Sequence, residues 1–203
     1  MKSIINMALR LALICAVAAF ALANVAEVTR APIAASEARA QREAVEAVLP
    51  SFARLAIDTL HTETGDPALY FSGVGDEGPT GTAFKSSSGL GYSGEIEIMM
   101  GVNPQGKISG VRILRHAETP GLGANYAAPE MLDGFYKDRL IGDNWKLKKD
   151  GGEVDAVTGA TVTGRAIADA IETGLQKYLG DQKSIKAVAA PLIAPENEEG
   201  KKP

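Results

Sequence analysis

Two hydrophobic patterns follow one another along the chain. The first is an unbroken apolar run. Between Arg10 and Glu27 no residue is charged, so Leu11–Ala26 reads LALICAVAAFALANVA. As a helix these sixteen residues span about 24 Å at roughly 1.5 Å per residue. That is a little short of a hydrocarbon core of about 30 Å. Ile4, Ile5 and Met7 lengthen the span when Arg10 snorkels to the interface, and Val28 lengthens the other end. The pattern predicts an N-terminal membrane anchor over residues 1–30. A cleaved signal peptide is the competing reading: a basic start, an apolar stretch, and Ala21 and Ala23 before a cut. The length of the stretch, and Leu22 and Asn24 between the small residues, favour the anchor. Both readings send the remaining chain across the membrane. Lys2 and Arg10 hold the N-terminus in the cytoplasm, against the weaker pull of Arg30.

The second pattern is periodic. Residues 31–35 (APIAA) read as a linker. Ser36–Ser51 reads as a helix capped by Ser36 and stopped by Pro50, with Val45, Val48 and Leu49 at helical spacing. Thr62–Gly91 is dense in Gly, Pro, Ser and Thr, which predicts loops and short strands. Ile96, Ile98 and Met100 then alternate with Glu95, Glu97 and Met99. Asn103-Pro104-Gln105-Gly106 supplies a turn, and Val111 and Ile113 alternate with Arg112 and Leu114. This is an antiparallel hairpin with one face on a core and one partly wet. Arg115–Ala124 leaves it as a Gly/Pro-rich loop, Pro129–Leu140 reads as a short helix, and Trp145 lies at a strand edge. Gly164–Leu179 is a helix whose stripe is Ile167, Ile171, Leu175 and Tyr178, with Thr163 as its cap and Gly180 as its end. Residues 181–203, with Pro191, Pro195 and an acidic run, read as a disordered tail. The class expected is α+β: a transmembrane helix, then one domain over residues 31–180 with an antiparallel sheet and flanking helices.

Composition narrows the chemistry. The chain has 203 residues and a net charge of −4, which removes the basic footprint of a nucleic-acid binder. Cys15 is the single cysteine and falls inside the apolar run, so an internal disulfide, a zinc knuckle and a self-contained iron–sulfur cluster are excluded. Only His61 and His116 are available to a histidine metal site.

Two loops carry candidate chemistry. Asp155-Ala156-Val157-Thr158-Gly159-Ala160-Thr161-Val162-Thr163 precedes the last helix. Gly159 and Ala160 leave the hydroxyls uncrowded, and a phosphate there would meet backbone N–H groups and the positive end of the helix dipole. On these residues alone a plain threonine cap with a tight turn is the simpler alternative. The other loop is His116-Ala117-Glu118-Thr119-Pro120-Gly121-Leu122-Gly123. Its glycines suit close approach to a flat ligand, with Glu118 and Thr119 as hydrogen-bonding groups and Leu122 as an apolar contact. A long hairpin exit loop is the plainer reading.

Taken together, the two loops resemble the signatures of the FMN-binding domain family, specifically the G subunit of the Rnf electron-transport complex. The chain is also similar to the C subunit of the sodium-pumping NADH:quinone reductase. One signature stands here as Asp155 to Thr163, the other as His116 with Glu118 to Gly123, and Gly91-Tyr92-Ser93-Gly94-Glu95-Ile96 looks like the family's approach to the first hairpin strand. The resemblance covers roughly residues 4 to 180.

The resemblance implies FMN joined through its phosphate to Thr161 by a separate FMN transferase with FAD as donor. It implies Thr158, Gly159, Ala160 and Asp155 around the attachment. It also implies Glu118, Thr119, Gly121, Leu122 and Gly123 at or near the flavin ring, Glu118 and Thr119 either touching the ring or shaping their loop. The function implied is electron transfer within an ion-translocating ferredoxin/NAD oxidoreductase, beside other membrane and redox subunits. Its place would be the inner (cytoplasmic) membrane, single-pass, with the domain on the periplasmic side. The alternatives are the quinone-reductase subunit, a stand-alone membrane-anchored flavoprotein, and a binding module without flavin. No Gly-x-Gly-x-x-Gly opens a strand–helix unit, so NAD binding by this chain is not expected.

Overall fold

A computed structural model describes residues 2–60 and 68–189; His61 lies outside them. The chain divides into two compact units, residues 1–43 and 44–203. The first unit belongs to a single helix, α1 (Lys2–Val48). It is long and apolar enough to cross a membrane, with a mean hydropathy of 2.2 over its most apolar window. The expected linker at 31–35 is absent: α1 passes through Pro32 without a break. A proline removes one N–H and crowds the preceding turn. Its neighbours Ala31, Ala34 and Ala35, however, are the strongest helix formers, and no glycine interrupts them.

The second unit is built on a five-stranded antiparallel meander. Its strands are β1 (Arg54–Leu60), β2 (Ala68–Gly75), β3 (Gly78–Gly91), β4 (Gly94–Val102) and β5 (Ile108–Arg115), adjacent in sequence order. The hairpin expected from alternation is β4–β5. Its turn is held by the Asn103 side chain, which accepts from the Gln105 and Lys107 N–H groups, each at 3.0 Å. Where loops and short strands were expected before Gly91, β3 is instead a strand of 14 residues. Its loop-like serines serve an interface. Ser86 Oγ donates to the Ala170 carbonyl at 2.7 Å and Ser88 Oγ to Asp169 at 2.6 Å, both on the last helix.

The two faces of the sheet are covered differently. Phe84, Ile96, Ile98, Met100, Ile108 and Val111 pack against α2 (Pro129–Tyr136) and α3 (Thr161–Ala189), where Leu132, Tyr136, Ile167, Ile171 and Leu175 meet them. The opposite face offers Phe71, Ala83 and Met99 to Ala44, Val45, Val48 and Leu49, at and just beyond the end of α1. Contact there is backbone-close: a Cβ on Gly101 would strike the Val48 carbonyl oxygen, which accepts from Ser109 Oγ at 2.5 Å.

Three further expectations are corrected. The short helix stops at Tyr136 rather than Leu140. Trp145 is buried but not in a strand, because its segment makes only an isolated bridge between Leu147 and Val154. α3 begins at Thr161, so Thr163 lies in its first turn, and it runs through Gly180 to Ala189. A glycine inside a helix costs about 1 kcal/mol. Here the Tyr70 hydroxyl, donating to Asp181 at 2.6 Å, ties the next residue to the sheet. Burial and Asp181 together push the Tyr70 phenol well above its ordinary range. Residues 181–189, expected in the tail, are therefore helical, and 190–203 lie outside the described residues.

Candidate functional site

Three segments distant in sequence meet at one carboxylate. Glu118 is only 6% exposed. Its Oε1 accepts from the Ser93 N–H, in the β3–β4 turn, at 3.1 Å. Its Oε2 accepts from Thr163 Oγ1, in the first turn of α3, at 2.5 Å. The Glu118 N–H donates to His116 Nδ1 at 3.2 Å, so His116 braces its own loop. Gly123 fits beside them because a Cβ there would lie 2.5 Å from Glu118 Oε2.

From Glu118 the loop turns tightly. The Leu122 and Ala124 N–H groups both donate to the Thr119 carbonyl at 3.2 Å, and Asn125 Nδ2 donates to the Gly121 carbonyl at 3.1 Å. Gly121 takes φ +79°, a conformation that side chains with a Cβ rarely adopt. The turn leaves Leu122 48% exposed at its tip.

The other loop is hung on Tyr126, whose buried hydroxyl accepts from the Val157 N–H at 2.9 Å. Burial pushes the Tyr126 phenol up, and that N–H pulls it partly back. Gly159, at φ +80°, then reverses the chain into α3. The first helical bond runs from the Gly164 N–H to the Ala160 carbonyl at 3.0 Å. The N–H groups of Thr161, Val162 and Thr163 precede it, and such groups have no partner within a helix.

Between the loops lies a cleft of about 530 Å³. Ligand pockets commonly hold about 300–1,000 Å³. Of the residues singled out in the sequence, Glu118, Thr119, Leu122, Gly123, Gly159, Ala160, Thr161 and Thr163 line it. Asp155, Thr158 and Gly121 do not. Asp155 pairs with Lys148 at 2.7 Å beside the cleft, and Gly121 shapes the turn. The three threonines are not equivalent. Thr163 is buried and committed to Glu118, Thr158 is exposed outside the cleft, and Thr161 is half-buried on its wall.

Sequence reasoning missed four contributors. Tyr92 and Val162 complete the lining, Tyr92 as an exposed ring in the β3–β4 turn. Tyr126 hangs the second loop; its one sequence signal was an aromatic residue shortly after the glycines. Lys149 donates from Nζ to Thr161 Oγ1, with only the Lys148-Lys149 doublet to mark it. Asp150, the next residue, is taken by Arg165 through two bonds of 2.8 and 2.6 Å. That hydrogen bonding holds its carboxyl below the usual carboxylate range.

A cleft with an apolar tip, threonines on its walls and a helix N-terminus suits a flat ring that carries a phosphate. The comparison with known families agrees: residues 91–176, from the β3–β4 turn into α3, match the FMN-binding domain family. Full-length relatives narrow the class. The chain is 33% identical to the G subunit of the ion-translocating oxidoreductase complex of Methanosarcina acetivorans, over 90% of this chain and 97% of that protein. It is 34% identical to the corresponding G subunit of Cereibacter sphaeroides, over 84% and 82%. It is 44% identical to the G subunit of Vibrio parahaemolyticus, where the match spans less than half of either chain, 46% of each. The chain belongs to the G-subunit family of ion-translocating oxidoreductase complexes.

Proposed function

We propose that this chain is an electron-transfer subunit of an Rnf-type ion-translocating oxidoreductase, and that it carries FMN through a phosphoester at Thr161. One observation carries the reading. The Gly159–Thr161 step and the Glu118–Gly123 loop, 30 or more residues apart, form the two walls of a single cleft. Thr161 lines that cleft at the N-terminal end of α3, where the first N–H groups of a helix favour a phosphate.

Bound FMN supplies the one- and two-electron chemistry, and the chain supplies binding and orientation. Thr161 fixes the phosphate end. Leu122 and Tyr92 would offer apolar surface to the ring, and Thr119 a hydroxyl. Glu118 holds the walls together, accepting from the Ser93 N–H on one side and from Thr163 on the other. A separate FMN transferase, with FAD as donor, makes the bond; a threonine hydroxyl is a poor nucleophile until a base activates it. Transfer between ferredoxin and NAD, partner subunits in the membrane, and a domain on the periplasmic side of a spanning α1 complete the proposal. The family match and the apolar length of α1 support them.

The test is a denaturing gel scanned for flavin fluorescence after co-expression with an FMN transferase. The wild-type band fluoresces and Thr161→Ala is dark, with an unchanged thermal midpoint. Undiminished fluorescence from Thr161→Ala would sink the assignment. Loss in Thr158→Ala alone would move it to that residue.

A further inference from the structure

We propose that Lys149 is the positioning residue for the modified hydroxyl: its ammonium group orients Thr161 Oγ1 and neutralises the phosphodiester that attachment places there. The proposal rests on the reading of Thr161 as the FMN acceptor. Its basis is the contact between Lys149 Nζ and Thr161 Oγ1 and the distribution of charge around it.

Three other cations lie close by in sequence, and two are consumed. Lys148 is paired with Asp155 and Arg165 with Asp150. Lys146 and Lys149 make no ion pair within 4.0 Å among the described residues, and of the two only Lys149 reaches Thr161. Asp150 does feel Lys149, but its hydrogen bonds go to Arg165. The backbone presents Lys149 in one place. Lys148–Asp150 is a single 3-10 turn closed by Gly151 at φ +84°, and Asn144 Nδ2 donates to the Gly151 carbonyl at 3.2 Å.

The chemistry follows from donor and acceptor roles. An ammonium group has three donors and no acceptor. Thr161 Oγ1 therefore accepts from Lys149, and its own proton is left to point elsewhere, where a base can remove it. A cation beside an oxygen favours its anionic form. In the transfer, Thr161 Oγ1 forms a bond to the phosphorus on the FMN side of FAD. The pyrophosphate P–O bond breaks, AMP leaves with the bonding electrons, and the hydroxyl proton passes to the transferase's base. Nothing is oxidised or reduced. The product keeps one negative charge on its phosphodiester, set between Lys149 and the N–H groups that open α3.

The test follows flavin incorporation into the full-length chain by intact mass, with the transferase limiting. Lys149→Met should slow incorporation roughly ten- to a hundredfold, the range for removing one charge-assisted hydrogen bond. Lys149→Arg should restore most of the rate, because the charge and donors return. Thermal midpoints of both variants should match the parent, since Lys149 is exposed. Incorporation into Lys149→Met at the parent rate overturns the role of Lys149 and leaves Thr161 standing. Equal slowing in Lys149→Arg, or a drop in midpoint that accounts for the slowing, also overturns it. A parent chain that gains no flavin overturns both readings together.

Discussion

Glu118 is the residue on which both walls of the cleft depend. It is buried, and its oxygens satisfy a backbone N–H on one side and a threonine hydroxyl on the other. Glu118→Ala takes the acceptor from both donors, the Ser93 N–H and the buried Thr163 hydroxyl. Each such loss costs about 1–3 kcal/mol, so the thermal midpoint should fall clearly. Glu118→Gln keeps an acceptor for one donor and should lose less. Equal midpoints in a melting experiment on all three proteins would remove Glu118 from this role. Leu122 is the opposite case, an apolar side chain held at the tip of its turn. Leu122→Ala should leave flavin attachment intact and remove about 1–3 kcal/mol of ring burial. Where that loss differs between oxidised and reduced flavin, the potential moves by about 43 mV per kcal/mol for one electron. A redox titration identical to the parent would place Leu122 away from the ring.

At the scale of elements, strict periodicity was legible and context was not. The alternation Ile96–Met100 named β4 and its buried face, and the stripe Ile167 to Tyr178 named α3 and its core side. What misled was residue type read without a neighbour. Ser86 and Ser88 look like loop residues, yet they bond to α3 across a close sheet–helix contact. Pro32 and Gly180 look like boundaries, yet α1 and α3 run through them. Of the site, the cleft walls were legible as motifs, but the Lys149 contact was not. A lysine followed by aspartate reads as a solvated pair until the fold gives the aspartate to Arg165. Two substitutions test the elements. Gly101→Val forces a side chain onto the Val48 carbonyl, separating the end of α1 from the sheet; the thermal midpoint should drop by several degrees. Gly121→Val meets open space but a forbidden φ, so it should rearrange the turn and change the flavin spectrum without blocking attachment. A parent-like spectrum would show that this turn does not shape the ring site.

The whole molecule joins an apolar helix to a cofactor-sized cleft on a meander sheet. A chain that spans the membrane keeps Met1–Arg10 and stays in the pellet after a carbonate wash; a mature N-terminus near Asn24 would show a cleaved signal instead. The central claim is that one threonine at the start of α3 carries the redox group. The most direct measurement is the intact mass of the full chain purified from cells that co-express an FMN transferase, followed by mass mapping of its peptides. The account predicts a gain of one FMN less one water per chain, located on Thr161. A chain of unmodified mass, or the same gain on any other residue, would contradict it.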